Sequence, residues 1–364
     1  MNILVYLGHP AQFHFYKAVI HKLQQQGHRI IVLIKTKDIL EKLLIEENFK
    51  YINIQKKNRK NTPVSIFVAS LLRTYNVIKY AKRSKVDILL GTDSSVAQAA
   101  FLLGKKSITT LEDDYEVIKK LADLTYPFTN IILVPKVCSV GKWQQKKIGY
   151  EGYMKLSYLH PNQFRALDNI KTKYVKEKKY ILIRLASLTA HHDFRIKGLN
   201  RVLIKRIIET ATKYGYRTVI SSEKELDEEF MEYKLDIDIV NIHHVMFFSS
   251  MLIGDSQSMA VEAAMLGVPS IRFSDFAGKI SVLEELEHKY QLTYGIKTEQ
   301  QDKFYEKVNE LLMMENLREE FQARRQKMLA DKIDVAAFFT WFIENYPESA
   351  KIMKETPDYQ YKFK

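Results

Sequence analysis

A single cysteine, Cys138, stands among the 364 residues. An internal disulfide is therefore excluded, and a reducing compartment, the cytoplasm, is the expected setting. The opening "MNILVYLGHP" lacks the basic start and long apolar stretch of a secretory signal and reads as a first strand. No window approaches the roughly 18 uninterrupted apolar residues that a spanning helix needs. The dinucleotide fingerprint G-x-G-x-x-G does not follow the first strand. Helix-turn-helix spacing, zinc-finger cysteines and RNA-binding aromatic motifs are missing too, so nucleic acid is not an expected partner. Metal-ligand spacing is poor: His191 and His192 are adjacent, and the Asp-Ile-Asp of residues 236–238 falls in a strand-like alternation. No metal and no cofactor is expected.

What is abundant is positive charge. The formal net charge is +13, with basic runs at residues 56–60, 142–147 and 176–179 and a closing "YKFK". Solvated surface lysine accounts for this. An anionic membrane surface is the alternative, worth about 1 kcal/mol per basic residue near the lipid.

The apolar pattern is that of an α/β protein. "NILVYL" is a short continuous apolar run, the type buried on both faces of a parallel sheet. A Gly-His-Pro loop, a helical spacing (Tyr16, Val19, Ile20, Leu23) stopped by Gly27, and "RIIVLI" complete a βαβ unit. The alternation runs on through "VDILLG", "SITTLE" and "IILVP". After a lysine-rich stretch it restarts at "YILIRLA", with "RTVIS", "DIVNI", "MLIGD" and "PSIRF" as later strands. Two Rossmann-like domains are expected, over residues 1–165 and 178–334. Residues 335–364, an apolar helix and a basic tail, are expected to return to the first.

Residues 89–108 and 252–271 align without a gap and share identical residues at, among others, Gly91/Gly254, Ser95/Ser258, Ala97/Ala260 and Gly104/Gly267. Strand-loop-helix-strand units also share small residues for packing reasons. Ala99 stands opposite Glu262, so the unit does not itself require that acid.

Chemistry is expected where strands end. Gly254, Asp255, Ser256, Gln257 and Ser258 lead from a strand into a helix whose first N–H groups attract phosphate, with Ser256 or Ser258 as N-cap. An ordinary cap without a ligand uses the same residues. Glu262 lies among Met259, Val261, Ala263 and Leu266. A buried carboxylate needs donors, which two ribose hydroxyls or a nearby arginine would supply. Gly8, His9 and His14 follow the first strand, at the end of a parallel sheet where ligands bind. Each histidine is a candidate general base or an ordinary loop residue. Arg184 interrupts an apolar strand and needs an anion. His243 and His244 read as a helix start, and Asp93, Glu112, Asp113 and Asp114 as acids at strand ends.

"YLGHPAQFHFYKAVIHKLQQQGHRIIVL", "GYEGYMKLSYLHP" and "GDSQSMAVEAAMLGVPSI" together resemble an uncharacterised bacterial family within the GT-B glycosyltransferase superfamily. The resemblance implies two Rossmann-like domains facing a cleft and a C-terminal helix crossing back to the first. It also implies metal-independent transfer from a nucleotide sugar, UDP-linked, to a glycan or polyprenyl-linked acceptor, the basic surface suiting a lipid-linked acceptor at the inner membrane face. A nucleotide-sugar-binding protein without catalysis is the alternative from another class. Carried over, Ser256, Gln257 and Ser258 would meet the diphosphate and Glu262 the ribose. Gly8, Arg184, His191, His192, His244 and Asp255 would join the donor site, and His9, His14 and Asp93 would serve catalysis. The non-hydrolysing UDP-N-acetylglucosamine 2-epimerases are a second resemblance, through Thr189-Ala190-His191, Asp255-Ser256 and the acids Asp93 and Glu112. There His192 replaces an arginine and Gln257-Ser258 replaces Gly-Gly.

Overall fold

The structure, a computed structural model, describes residues 1–37, 39–56, 62–185, 198–222 and 225–364. The chain forms two compact units, Met1–Gln163 with Lys332–Lys364, and Phe164–Asp331.

The first unit holds seven strands: β1 (Asn2–Leu7), β2 (Arg29–Lys35), β3 (Ile52–Gln55), β4 (Ile88–Gly91), β5 (Lys106–Thr110), β6 (Ile131–Pro135) and β7 (Lys147–Tyr150). They form one parallel sheet in the order β3-β2-β1-β4-β5-β6-β7. Ile3 to Leu7 of β1 are fully buried, because a parallel sheet is covered on both faces and its central strand can be apolar throughout. The order reverses between β1 and β4, the point at which open α/β sheets take ligands.

The second unit holds β8 (Tyr180–Leu185), β9 (Arg217–Ser222), β10 (Met251–Gly254), β11 (Ser270–Phe273) and β12 (Thr293–Ile296). Their parallel order is β12-β11-β10-β8-β9. Here the reversal falls between β8 and β10, so Arg184 and the Gly254–Ser258 turn flank it.

The Val335–Glu344 helix belongs to the first unit. Asp334 caps it by accepting the Ala337 N–H at 3.0 Å. Phe339 packs edge-on to Phe15 and Tyr150, with ring centroids 4.9 and 5.1 Å away. Burying such rings is what holds the returning segment down, at about 1.5–3 kcal/mol per side chain.

One expected strand is not formed. "DIVNI" is a 3₁₀ turn, Ile239–Asn241, leading into the helix Ile242–Phe248, and Asp236 to Asp238 lie in a loop. Ile242, Val245 and Met246 are buried at helical spacing, and the short alternation before them does not distinguish strand from helix start. The four-residue strands β3, β7 and β12 were not expected, being too short to show a period.

Candidate functional site

In the second unit, β10 ends on Gly254, in register with Arg184 of β8 on one side and Arg272 of β11 on the other. A Cβ at Gly254 would lie 2.5 Å from the Arg184 carbonyl oxygen, so only glycine lets the strands close here. Arg184 in turn sits beside Ser221 of β9 and donates from Nη1 to its Oγ at 2.8 Å. Asp255 follows Gly254 and lines a cavity of about 210 Å³ with Leu185, Arg201, Ser222 and Glu225.

Ser256 caps the helix Gln257–Leu266, its Oγ accepting the Met259 N–H at 3.3 Å. Asp255 to Ser258 are half-buried, and the first-turn amides of Gln257 and Ser258 have no partner within the helix itself. The helix ends on Gly267 at φ 67°, a left-handed cap that glycine adopts without cost.

Arg272 is the residue that sequence reasoning missed. It is 1% exposed. Its Nη1 donates to Gln257 Oε1 at 3.2 Å, and its Nη2 pairs with Glu287 Oε2 at 2.8 Å, which also accepts the Gly295 N–H at 2.9 Å. Its Nε–H has no hydrogen-bond partner among the described residues. Burial draws the guanidinium down and the Glu287 carboxyl up, and their pairing opposes both shifts. An arginine inside "PSIRF" was the available signal, parallel to Arg184 in "YILIRLA".

Glu262 is buried, at 8% exposure, and a histidine lies beside it. His243 Nε2 lies 3.4 Å from Glu262 Oε2 and is itself buried. The Phe164 ring closes over both histidines, 6.2 Å from His243 and 5.0 Å from His244. His244 Nδ1 accepts the Leu167 N–H at 3.1 Å. Burial, and then the charge of His243, pushes the His244 pKa down, so a neutral ring with its proton on Nε2 is favoured. His191 and His192 lie outside the described residues.

In the first unit, Gly8 and His9 end β1 and Thr92 and Asp93 end the adjacent β4. His9 is exposed and caps the helix Pro10–Gln25, its Nδ1 accepting the Ala11 N–H at 3.2 Å. That bond puts the proton of the neutral ring on Nε2, so His9 presents a donor in this geometry. Gln12 ties the two strand ends together, accepting from Gly8 N at 2.7 Å and donating to Thr92 Oγ1. Asp93 caps the helix Ser94–Leu102 through Ser95 N at 3.0 Å, takes the Ser95 hydroxyl at 2.6 Å, and lies 3.5 Å from Arg73 Nε. Beneath it the buried Tyr6 hydroxyl has no hydrogen-bond partner among the described residues. Burial and then the Asp93 charge push that phenol well above its ordinary pKa. His14, a turn into the first helix, is half-buried against the Tyr158 ring, 5.4 Å between centroids.

Of the remaining acids, Glu112 is held by the "GYEGYMKLSYLHP" segment. Glu112 accepts the Met154 N–H at 2.6 Å and pairs with Lys155 at 2.7 Å. Asp114 accepts the Ser139 N–H at 2.7 Å. Crowding by neighbouring groups, and next the Glu112 charge, raise the Asp113 carboxyl. Ser157 of the same segment donates to the Phe15 carbonyl at 2.5 Å.

Two consecutive parallel α/β sheets are the GT-B fold. The chain belongs to the family described as "Protein of unknown function (DUF354)", which matches residues 1–335. Solved structures share the fold at low identity. MnaA of S. aureus, a co-structure with UDP, is 14% identical, covers 96% of this chain and 97% of its own, and has a TM-score of 0.69. The UDP-GlcNAc 2-epimerase of Neisseria meningitidis, bound to UDP-GlcNAc, is 15% identical over 91% of this chain and 100% of its own, with a TM-score of 0.60. MurG of Acinetobacter baumannii is 13% identical over 94% and 99%, with a TM-score of 0.59. No curated protein matches the chain in sequence.

Proposed function

We propose that the chain is a metal-independent glycosyltransferase that moves a sugar from a nucleotide donor, UDP-linked, to a glycan or lipid-linked acceptor at the inner membrane face. The observation that carries this reading is the pair of arginines in register with Gly254, immediately below the N-terminus of the Gln257–Leu266 helix. A diphosphate there would meet backbone N–H groups, the positive end of the helix dipole and two guanidinium-bearing strands. Glu262 takes the ribose hydroxyls, with His243 as its positioning residue. The acceptor hydroxyl loses its proton to a general base, its oxygen bonds to the anomeric carbon, and the bond from that carbon to the diphosphate breaks. The charge left on the diphosphate is what the arginines and the helix terminus stabilise, in place of a metal. His9, His14 and Asp93 are the candidate bases; His9 accepts the Ala11 N–H through Nδ1, and Asp93 lies beside Arg73 and caps the helix at Ser95.

A second reading is epimerisation of a UDP-sugar. The likeness to MnaA and to UDP-GlcNAc 2-epimerases supports it, as does the position of Asp93 and Glu112 at the ends of neighbouring strands β4 and β5. Against it, both carboxylates are already held by basic partners. The discriminating experiment incubates UDP-sugars with the protein alone and then with a lipid extract. Transfer of label into lipid or glycan supports the transferase; conversion of the sugar without an acceptor overturns it. Absence of UDP binding by calorimetry removes both.

A further inference from the structure

We infer that the outer face of the helix Pro63–Arg83 is a docking surface for an anionic lipid bilayer. This deepens the reading of a lipid-linked acceptor, yet it rests on the first unit alone and does not depend on the donor site. Val64, Phe67, Val68, Leu71, Leu72 and Tyr75 recur at helical spacing and are each between 47 and 73% exposed. The opposite side of the same helix is fixed: Val77 and Ala81 are buried in the core with Ala99 and Ala100. The apolar stripe is therefore the face turned to solvent.

The neighbouring helix Ser94–Leu102 is joined to the first by the Thr74 hydroxyl bonded to Gln98 at 3.3 Å. Phe101 and Leu102 there are 61 and 67% exposed. At these fractional exposures the six residues of the stripe alone present about 600 Å² of largely apolar surface. The largest patch on a typical monomer is about 300–600 Å².

Charge selects the occupant. Beyond Tyr75 the same helix carries Lys79, Lys82 and Arg83, all exposed and in no ion pair among the described residues, and Lys105 and Lys106 follow Leu102. The Pro63–Arg83 helix contains no Asp or Glu. An apolar face bordered by cations and lacking acids is the composition of helices that lie in an anionic lipid interface. A second copy of the chain would oppose it with the same cations.

The test is flotation of the full chain with vesicles of phosphatidylcholine alone and of phosphatidylcholine mixed equally with phosphatidylglycerol. The protein is expected to float with the mixed vesicles, at least about tenfold better than with neutral ones, and to be released by salt. The surface variants Phe67→Ser/Leu71→Ser and Lys79→Glu/Lys82→Glu should each lose about tenfold or more of that binding while retaining UDP affinity and thermal stability. No flotation with mixed vesicles, or flotation unchanged in the Phe67→Ser/Leu71→Ser protein, overturns the inference. So does a dimer in sedimentation that the same variant converts to monomers, which would assign the face to a second copy. Loss of UDP binding in every preparation would sink the donor reading and leave the vesicle result standing.

Discussion

Replacing Glu262 with alanine separates the two jobs a buried carboxylate can have at this position. The acid is 8% exposed and has His243 Nε2 at 3.4 Å from one oxygen. If it also receives the ribose, removing it abolishes hydrogen bonds to a charged acceptor, worth about 1.5–3 kcal/mol each. Part of that is offset, because the carboxylate sheds water to bind and shares its charge with the histidine. A net loss of roughly 1.4 kcal/mol, tenfold in Kd, is the expected outcome. Calorimetry with UDP and 2′-deoxy-UDP, each against wild type and Glu262→Ala, closes a cycle. Wild type should prefer UDP by about tenfold, and the variant should bind the two ligands equally, a coupling of about 1.4 kcal/mol. The variant also removes the carboxylate beside buried His243, so a stability loss of about 1–3 kcal/mol is expected in urea unfolding. Unchanged UDP affinity together with that stability loss would refute the ribose role and leave Glu262 as the partner of His243 alone.

Three further outcomes follow from the same region. Gly254→Ala places a Cβ 2.5 Å from the Arg184 carbonyl, which should cost about 1–3 kcal/mol of stability by urea unfolding and weaken UDP binding as the turn shifts; a fully stable variant would contradict the packing. Arg272→Met should destabilise by about 1–3 kcal/mol by leaving half-buried Glu287 short of its cation, and Arg272→Met/Glu287→Leu should recover most of the stability without recovering UDP affinity; recovered affinity would show that Arg272 serves only the pair. His244 has its pKa pushed below the ordinary 6.5 by burial and His243, so the folded state binds fewer protons near that pH than the unfolded chain does. Its contribution to stability is present above 6.5 and is lost as pH falls through 6.5 toward the lower folded value. Urea midpoints between about pH 7.5 and 5 should fall more steeply for wild type than for His244→Gln, and parallel slopes would contradict the burial of this ring.

Most of the strands were within reach of the sequence, though not their order in the sheets, because parallel strands buried on both faces are written as uninterrupted apolar runs, as in "NILVYL" and "IILVP". The short edge strands β3 and β12 and the 3₁₀ turn at Ile239 were not, since four or five residues carry no resolvable period. The cap was legible: Ser256 stands where its type and position put it. Its neighbours were only half legible. An acid on an apolar helix announces that it has a partner, but His243 reaches Glu262 from a separate helix, and no local pattern pairs residues 19 apart. For the same reason Lys155 was not foreseen on Glu112, nor Arg73 beside Asp93. Tertiary ion pairs of this kind are set by the crossing of elements, which the spacing along one element does not encode.

The internal alignment becomes more informative once the two units are in view. Asp93 and Ser256 occupy aligned positions, and both are side-chain N-caps of the helix that follows their strand. Gly104 and Gly267, also aligned, both adopt a left-handed φ where that helix ends. The frame is thus the same in both halves, down to its caps. Against that common frame the second half carries an acid where the first has Ala99, and an arginine, Arg272, where the first has Thr109. The strand beside Gly91 brings Thr109, whereas the strand beside Gly254 brings Arg272. A buried acid and a buried cation have been added to a unit that folds without either, and each is costly to bury. The arginine lies below the helix terminus and is bonded to Gln257 at its first turn; the acid lies further along the same helix. A ligand anionic at one end and hydroxylated further on would engage both, which is the pattern of a nucleotide diphosphate. The first half, with a threonine and an alanine at these positions, offers neither group.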